Sequence, residues 1–405
     1  LLLGLDKIRL VARQFGTPLY LLDVSRILRT MKVLRDGLRR YYPNSEIAYS
    51  VKTNYLSDIL RQVLAAGYRL EVVSRHELAL ARSIGARPAQ VLFNGPVKNA
   101  ADLALCRGLG IELNADSVDE LELAASLASA DRPFRIGVRV AAALGEGQTS
   151  RFGVDFDDPD SLARVRLLLA AGSIQIAGLH IHHSSRRDAQ SFCDRLDRLR
   201  AVADLLDIQP EYLDLGGGAA SMPPPSIAAR LAYPVDSHEH LASVLGKHAL
   251  AVCGPCGPRL ILEPGIAVLA GAMNYVMSVV AVKSRAGTSS SAAVCDGSMF
   301  DVNPLRSAIP PPCEWIPAVE PPRVEDAIVT TTLHGATCME IDRFDSLQGP
   351  RPRVGDLVAV GNTGAYSVCL APEFIVERPP VYSVDQDRLL RPRQTAGQFQ
   401  GAGAP

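Results

Sequence analysis

The chain has 405 residues, is 47% hydrophobic and carries a formal net charge of -1 at neutral pH. That is globular material, large enough for two domains. The near-zero charge removes any electrostatic case for nucleic acid or an anionic membrane, and no run approaches the ~18 consecutive apolar residues of a membrane span. The eight cysteines are scattered without a disulfide framework, which points to a reducing, cytoplasmic setting. Leu1-Leu2-Leu3-Gly4-Leu5-Asp6 meets charge too early for a secretion signal, and it carries no initiator methionine, which leaves room for residues upstream.

Residues 1–17 read as an amphipathic helix with Leu5, Ile8, Leu10, Val11 and Phe15 apolar. Residues 17–23 read as a strand, with Asp23 placed to cap the helix over 27–42. Residues 45–54 alternate apolar and polar side chains and deliver Lys52 and Asn54 at the C-terminal end of a strand. Strands at 69–74, 90–94, 110–114, 134–140, 174–182, 212–215 and 259–263 then alternate with helices. Counted from the Lys52 strand, about eight β–α units are expected to close a (β/α)₈ barrel, a fold that gathers active-site groups at its C-terminal strand ends. Lys52, Asn94, Arg139, His182, Gly216 and Glu263 all fall there. A doubly wound open sheet is the alternative reading of the same alternation.

After about residue 268 the texture changes. β-rich runs at 276–282, 292–296, 327–333, 357–360 and 374–377, broken by Gly and Pro, suggest a separate sandwich or barrel. The expected organisation is an N-terminal helix and strand over 1–26 that pack with the C-terminal domain, a barrel over 27–268, a β-rich domain over 269–382 and a disordered tail over 383–405.

Four features carry chemistry. A lysine held by a strand end can be desolvated, lose its proton and attack a carbonyl, although Lys52 on its stretch alone is more readily a surface lysine. Gly216-Gly217-Gly218 after a strand lets backbone N–H groups close on a phosphate, though tight turns use such runs too. Glu263 at the last barrel strand could hold a proton on a pyridine nitrogen, although Glu263-Pro264-Gly265 alone reads more readily as a capping or turn glutamate. Gly178-Leu179-His180-Ile181-His182-His183-Ser184-Ser185 reads either as a zinc site, since His180 and His182 share a face, or as a ring stacked on an aromatic cofactor with a serine reaching its phosphate. No carboxylate or cysteine shares that motif to complete a ligand set, so the stacking reading is preferred and no metal is expected. Cys253-Gly254-Pro255-Cys256 is a redox tetrapeptide by spacing, but a strand-like run follows it instead of preceding it, so it reads as a turn.

A lysine, a triple glycine and Glu-Pro-Gly in this order resemble the fold type III pyridoxal-phosphate decarboxylases, the diaminopimelate/ornithine decarboxylase group, from Pro18 to about Tyr382. Tyr49 to Asn54 looks like the family's Schiff-base lysine strand. Glu71-Val72-Val73-Ser74-Arg75-His76-Glu77-Leu78 is similar to its next strand and helix start, with Glu71 where aspartate is common. Arg151-Phe152-Gly153 resembles its Lys-Phe-Gly turn, and Gly364-Ala365-Tyr366 its tyrosine-bearing turn. The resemblance implies pyridoxal 5'-phosphate as cofactor. It implies a cofactor site of Lys52, Glu71, Arg139, His182, Ser185, Gly216, Gly217, Gly218, Glu263, Gly265 and Tyr366. His182 would stack on the ring, Ser185 and the glycines would hold the phosphate, and Glu263 would pair with the ring nitrogen. It also implies a homodimer in which Cys338 is the catalytic cysteine supplied across the interface.

The departures fall mainly on the substrate side. Ile266 stands where the family has arginine after Glu-Pro-Gly. Asn303-Pro304 replaces an Arg-Pro, with Arg306 nearby as a substitute. Cys338-Met339-Glu340-Ile341-Asp342 replaces Cys-Glu-Ser-Gly-Asp, so Met339 stands for the glutamate that reads the distal amino group. Asn303, Arg306, Met339, Glu340, Asp342 and Tyr366 are the expected substrate contacts. The implied activity is decarboxylation of an amino acid other than free diaminopimelate. A racemase and a catalytically weak regulatory homologue are the alternatives.

Overall fold

Short, almost wholly buried strands determine the larger of two units. In the computed structural model, Ser45–Ser50, Arg69–Val72, Val91–Phe93, Glu112–Ala115, Phe134–Arg139, Ile174–His180, Tyr212–Asp214 and Arg259–Leu262 pair in parallel and close into a barrel. Near-continuous apolar runs are what a sheet covered by helices on its outer face requires. The structure describes residues 1–128, 131–145, 148–183, 186–231, 235–284, 290–304, 309–318 and 328–394. The barrel unit comprises 28–222 and 232–268; the other unit comprises 1–27, 223–231 and 269–405. Residues 223–231 thus leave the barrel that the sequence reads as continuous.

The barrel interior alternates small and large side chains. Ala48, Leu92, Ala177, Tyr212 and Ile261 form one buried cluster, and Tyr212 has room only because Gly137 and Gly178 lack a side chain: a Cβ at either would overlap the tyrosine. At the N-terminal strand ends, Arg69 pairs with Glu46 (3.2 Å) and Glu112 (2.6 Å), and Arg259 pairs with Glu112 (2.6 Å). That end of a barrel carries stability and leaves the other end for chemistry.

At three consecutive β–α turns the same device starts the helix. Ser74 accepts from the Glu77 N–H, Asn99 from Asp102 and Ser117 from Glu120. Each acid reaches back to a backbone N–H, of Val73, Asn99 and Asp116 respectively. These reciprocal caps satisfy donors that the first helical turn leaves unpaired. Asp23 likewise caps Val24–Arg39 through the Arg26 N–H.

In the second unit, Leu5–Phe15 lies on a nine-stranded sheet, and Ile8, Val11, Leu19, Leu21, Val276, Ile316 and Tyr382 share its core. Two expectations are corrected here, and one strand is added. Residues 374–377 are not a strand: Ile375 has φ +66° and Phe374 and Ile375 are exposed, between prolines that break pairing. Arg343–Pro350, to which the sequence reading assigns no element, is an edge strand whose exposed polar side chains hide its period. The assigned tail contains a strand, Arg388–Arg391, because Leu389 packs on that core. Cys253 ends the helix His238–Cys253 and Gly254 turns the chain at φ +72°, so the cysteine pair sits in a turn and both thiols are free. Among the described residues no helix is long and apolar enough to cross a membrane.

Two outcomes test this account. Burial raises the Glu77 carboxyl to about 7, so ionising it costs the folded state stability progressively from pH 4.5 to 7 and in full above that. Glu77→Gln keeps an acceptor for Val73; its melting temperature relative to wild type is expected to rise across that window and level off above it, by about 1–2 kcal/mol of stability. Gly137→Ala, which drives a methyl into Asn114 and Tyr212, is expected to cost about 3 kcal/mol in urea unfolding.

Candidate active site

Lys52 does not end the strand itself. Ser45–Ser50 stops two residues earlier, and Lys52 lies in the single 3₁₀ turn Val51–Thr53, closed by the Asn54 N–H on Val51 O. Its Nζ lies 2.7 Å from Glu71 Oε2, a buried carboxylate that also accepts from Ser50 Oγ at 2.6 Å. The lysine side chain is 32% exposed. The expected dry pocket is therefore not what holds the amine; a fixed carboxylate on the next strand does.

Glu263, just past the last strand, is the centre of the constellation. Its Oε1 accepts from Asn94 Nδ2. Asn94 Oδ1 accepts from Asn114 Nδ2 (2.7 Å), and Asn114 Oδ1 accepts from the Tyr212 hydroxyl (2.8 Å). The chain of donors runs one way, from Tyr212 across the barrel to the carboxylate. His180 Nε2 lies 3.6 Å from the other oxygen, Oε2. Burial alone would raise the Glu263 pKa, but His180, Lys52 and a proton on Asp214 outweigh it and hold the carboxyl below its usual range. Burial and the Glu263 charge push Asp214 well up. The pair therefore holds one proton, on Asp214, and one negative charge, on Glu263.

His182 is placed by the glycine segment: the Gly217 N–H donates to its Nδ1 at 2.9 Å. Burial, and then the Lys52 charge, lower its pKa well below the usual histidine range, so the ring is neutral and carries its proton on Nε2. Arg139 ends its strand paired with Asp116 (3.0 Å), with its guanidinium 4.7 Å from the Phe152 ring centre and 3.4 Å from His182 O. It braces the histidine from behind and is tied up by these partners. Gly265 packs on Thr53, where a Cβ would overlap the hydroxyl.

The glycine segment corrects one expectation. The Gly216 N–H is spent on Asp214 Oδ1 (2.8 Å) and that of Gly217 on His182, so only the Gly218 and following N–H groups are left for an anion. A Cβ on Gly217 would overlap the carbonyl of Glu263, so its role is close approach. Ser185 and Arg306 lie outside the described residues.

In the second unit, Cys338, Met339 and Glu340 are exposed in one turn. Asp342 is corrected from a substrate contact to the anchor of that turn. It is buried, with Oδ1 taken by the Met299 N–H (2.7 Å) and Oδ2 by Ser298 Oγ and the Thr337 N–H (both 3.1 Å). Asn303 ends a short helix through its own N–H on Met299 O. Tyr366 has φ +61°, a strained setting for a tyrosine that is often kept where a side chain must be aimed.

Sequence reading missed Asn114, Tyr212 and Asp214, and it assigned no partner to His180. His180, Asp214 and Glu263 bring donor atoms within 4.8 Å of one another, so carboxylates do reach this histidine, from other strands. The Asn94 amide donor on Glu263 and the proton on Asp214 suit a protonated ring nitrogen better than a cation. An anionic carboxylate, a neutral histidine ring, a lysine amine and open backbone N–H groups together fit an aromatic cofactor with a ring nitrogen, an aldehyde and a phosphate.

Comparison with known proteins bears on the same residues. The pyridoxal-binding domain of pyridoxal-dependent decarboxylases matches residues 25–270. The diaminopimelate decarboxylase of Actinosynnema pretiosum subsp. auranticum is 32% identical over 98% of this chain and 90% of its own length; that of Mycobacterium bovis is 28% identical over 95% and 90%. A diaminopimelate decarboxylase structure from M. jannaschii, in complex with L-lysine, superposes with a TM-score of 0.83 at 22% identity, covering 98% of this chain and 94% of that one. A lysine/ornithine decarboxylase structure from Vibrio vulnificus, complexed with putrescine, gives 0.78 at 21%, covering 94% and 98%. These last two likenesses are of fold. With the lysine, the carboxylate and the glycine turn in one barrel end, the chain belongs to the pyridoxal-dependent decarboxylase family.

Proposed function

We propose that this pyridoxal-phosphate-dependent amino-acid decarboxylase acts on a substrate whose end distal to the reacting carbon is bulkier or less charged than that of free diaminopimelate. The observation that carries this is the turn 337–342. Met339 stands exposed where the resemblance expects a glutamate, and Asp342 is buried with both oxygens engaged, Oδ1 by the Met299 N–H and Oδ2 by Ser298 Oγ and the Thr337 N–H. Glu340, also exposed, is the carboxylate left there.

Bound pyridoxal phosphate supplies an aldehyde for an amine and a ring that takes up the electron pair left when carbon dioxide departs. The roles of the chain's own residues follow from their settings. Lys52 offers the amine, held by Glu71. Glu263, kept anionic by Asn94 and by the proton on Asp214, holds a proton on the ring nitrogen. His182, neutral and fixed through Nδ1, backs the ring. We infer a homodimer in which Cys338 of the partner subunit returns a proton to the reacting carbon. The exposed position of Cys338 supports this reading. Tyr366, with its strained backbone, is the further cofactor and substrate contact, and the cytoplasm is the compartment that eight scattered cysteines suit.

The relatives named diaminopimelate decarboxylase favour a second reading, that diaminopimelate itself is the substrate. Carbon dioxide release from a panel of basic and acidic amino acids separates the two. Wild type is expected to turn over meso-diaminopimelate poorly, and Met339→Glu to raise its kcat/KM by about tenfold or more. Efficient wild-type turnover with no gain in the variant would establish the second reading. Lys52→Ala is expected to lose the absorbance of the lysine-bound cofactor and to lower carbon dioxide release about 10³-fold or more. Mixed with Cys338→Ala, it should regain activity that neither variant has alone; no recovery would count against the shared site.

A further inference from the structure

Arg195 lies on the helix Ala189–Leu206 behind the glycine segment and is 1% exposed. Among the described residues no carboxylate pairs with it. All of its terminal N–H groups go to main-chain carbonyls: Nη1 to Leu215 O (2.9 Å) and Gly217 O (2.7 Å), Nη2 to His183 O (2.9 Å) and Arg186 O (3.2 Å). Its guanidinium also lies 4.1 Å from the Phe192 ring centre. Burying a cation without a counter-charge is costly; burial, with Arg187 nearby, lowers its pKa to about 9. A surface carboxylate could have been recruited at less cost, so carbonyl binding itself needs a reason.

The planarity of the trans peptide supplies one. In each peptide unit the C=O and the N–H point in opposite directions. Arg195 holds the carbonyls of Leu215 and Gly217, Arg187 Nη1 holds that of Gly218 (3.3 Å), and the Glu263 N–H holds that of Gly216 (3.0 Å). Every carbonyl from 215 to 218 is thereby fixed. The partner N–H groups of Gly216 and Gly217 find acceptors in Asp214 and His182. Those of Gly218 and Ala219, whose peptides are held by Arg195 and Arg187, have none among the described residues. Two adjacent outward N–H groups make an anion-binding concavity. Positive φ at Gly216 (+66°) and Gly218 (+97°) is what lets the chain present them, and a side chain at Gly218 would meet the carbonyl of His183.

We propose that Arg195 is a positioning residue for the cofactor phosphate: by gripping the carbonyl side of the glycine segment from behind, it aims the N–H groups of Gly218 and Ala219 at the phosphate and adds a buried positive charge beside it. Ile266, which follows Glu263-Pro264-Gly265, brings no cation to that place. The proposal rests on the reading that the phosphate binds at the glycine segment.

The test compares pyridoxal phosphate with pyridoxal, which carries the same aldehyde and ring but no phosphate, by absorbance titration of cofactor-free wild type, Arg195→Met and Arg195→Lys. Wild type should bind the phosphate ester far more tightly than pyridoxal. Arg195→Met should weaken the phosphate ester about tenfold or more while changing pyridoxal less than about twofold; Arg195→Lys, with its charge but without the fork, should fall between. A loss shared equally by both ligands, or by neither, overturns the proposal. If Arg195→Met does not fold, the same comparison on Arg195→Lys decides. Wild type binding both ligands equally would instead sink the phosphate placement underneath, and the proposal with it.

Discussion

One buried negative charge, on Glu263, organises the inside of the barrel. A carboxylate in that setting is tolerated only when something holds it, and here the support is directional. Tyr212 donates to Asn114, Asn114 to Asn94, and Asn94 to Glu263. Each amide in that line has its orientation set by the one behind it, so no member can flip without breaking two bonds. Asp214 keeps a proton because Glu263 keeps none. The residues that fill the barrel core therefore also hold the Glu263 carboxylate in place.

The same economy runs through the glycine segment. Its N–H groups serve three masters: Asp214, His182 and open space. Because Gly217 donates to His182 and Gly216 accepts from the Glu263 backbone, His182, Glu263 and the glycine turn are one hydrogen-bonded unit. Moving any of them moves the others. That coupling explains why side chains as small as hydrogen are required at 217 and 218, where a Cβ would overlap a backbone carbonyl.

Much of this was legible in the sequence, and what was not had a physical reason. Alternation of apolar strands with capped helices predicts the barrel because each strand must be buried on both faces. Lys52, His182 and Glu263 are legible because each lies at or just beyond a strand's C-terminal end. Asn114 and Tyr212 are not, since an asparagine and a tyrosine inside a strand look like ordinary residues until four strands are brought together. Arg195 is hidden for a related reason: on a helix rich in charge it reads as solvated, and only the tertiary fold buries it. The edge strand Arg343–Pro350 escapes because pairing on one side only leaves its polar side chains in water.

The barrel's C-terminal strand ends and the turn 337–342 draw on different kinds of structure. Lys52, His182, Glu263 and the glycine segment sit at strand ends and tight turns, where neighbouring backbone fixes each side chain and a substitution disturbs several bonds at once. The turn 337–342 is instead anchored by one buried aspartate whose bonds go mostly to backbone N–H groups. Its fold does not depend on what Cys338, Met339 or Glu340 carry, since all three face outward. Side chains there can change without cost to the scaffold and without touching the hydrogen bonds that hold Glu263.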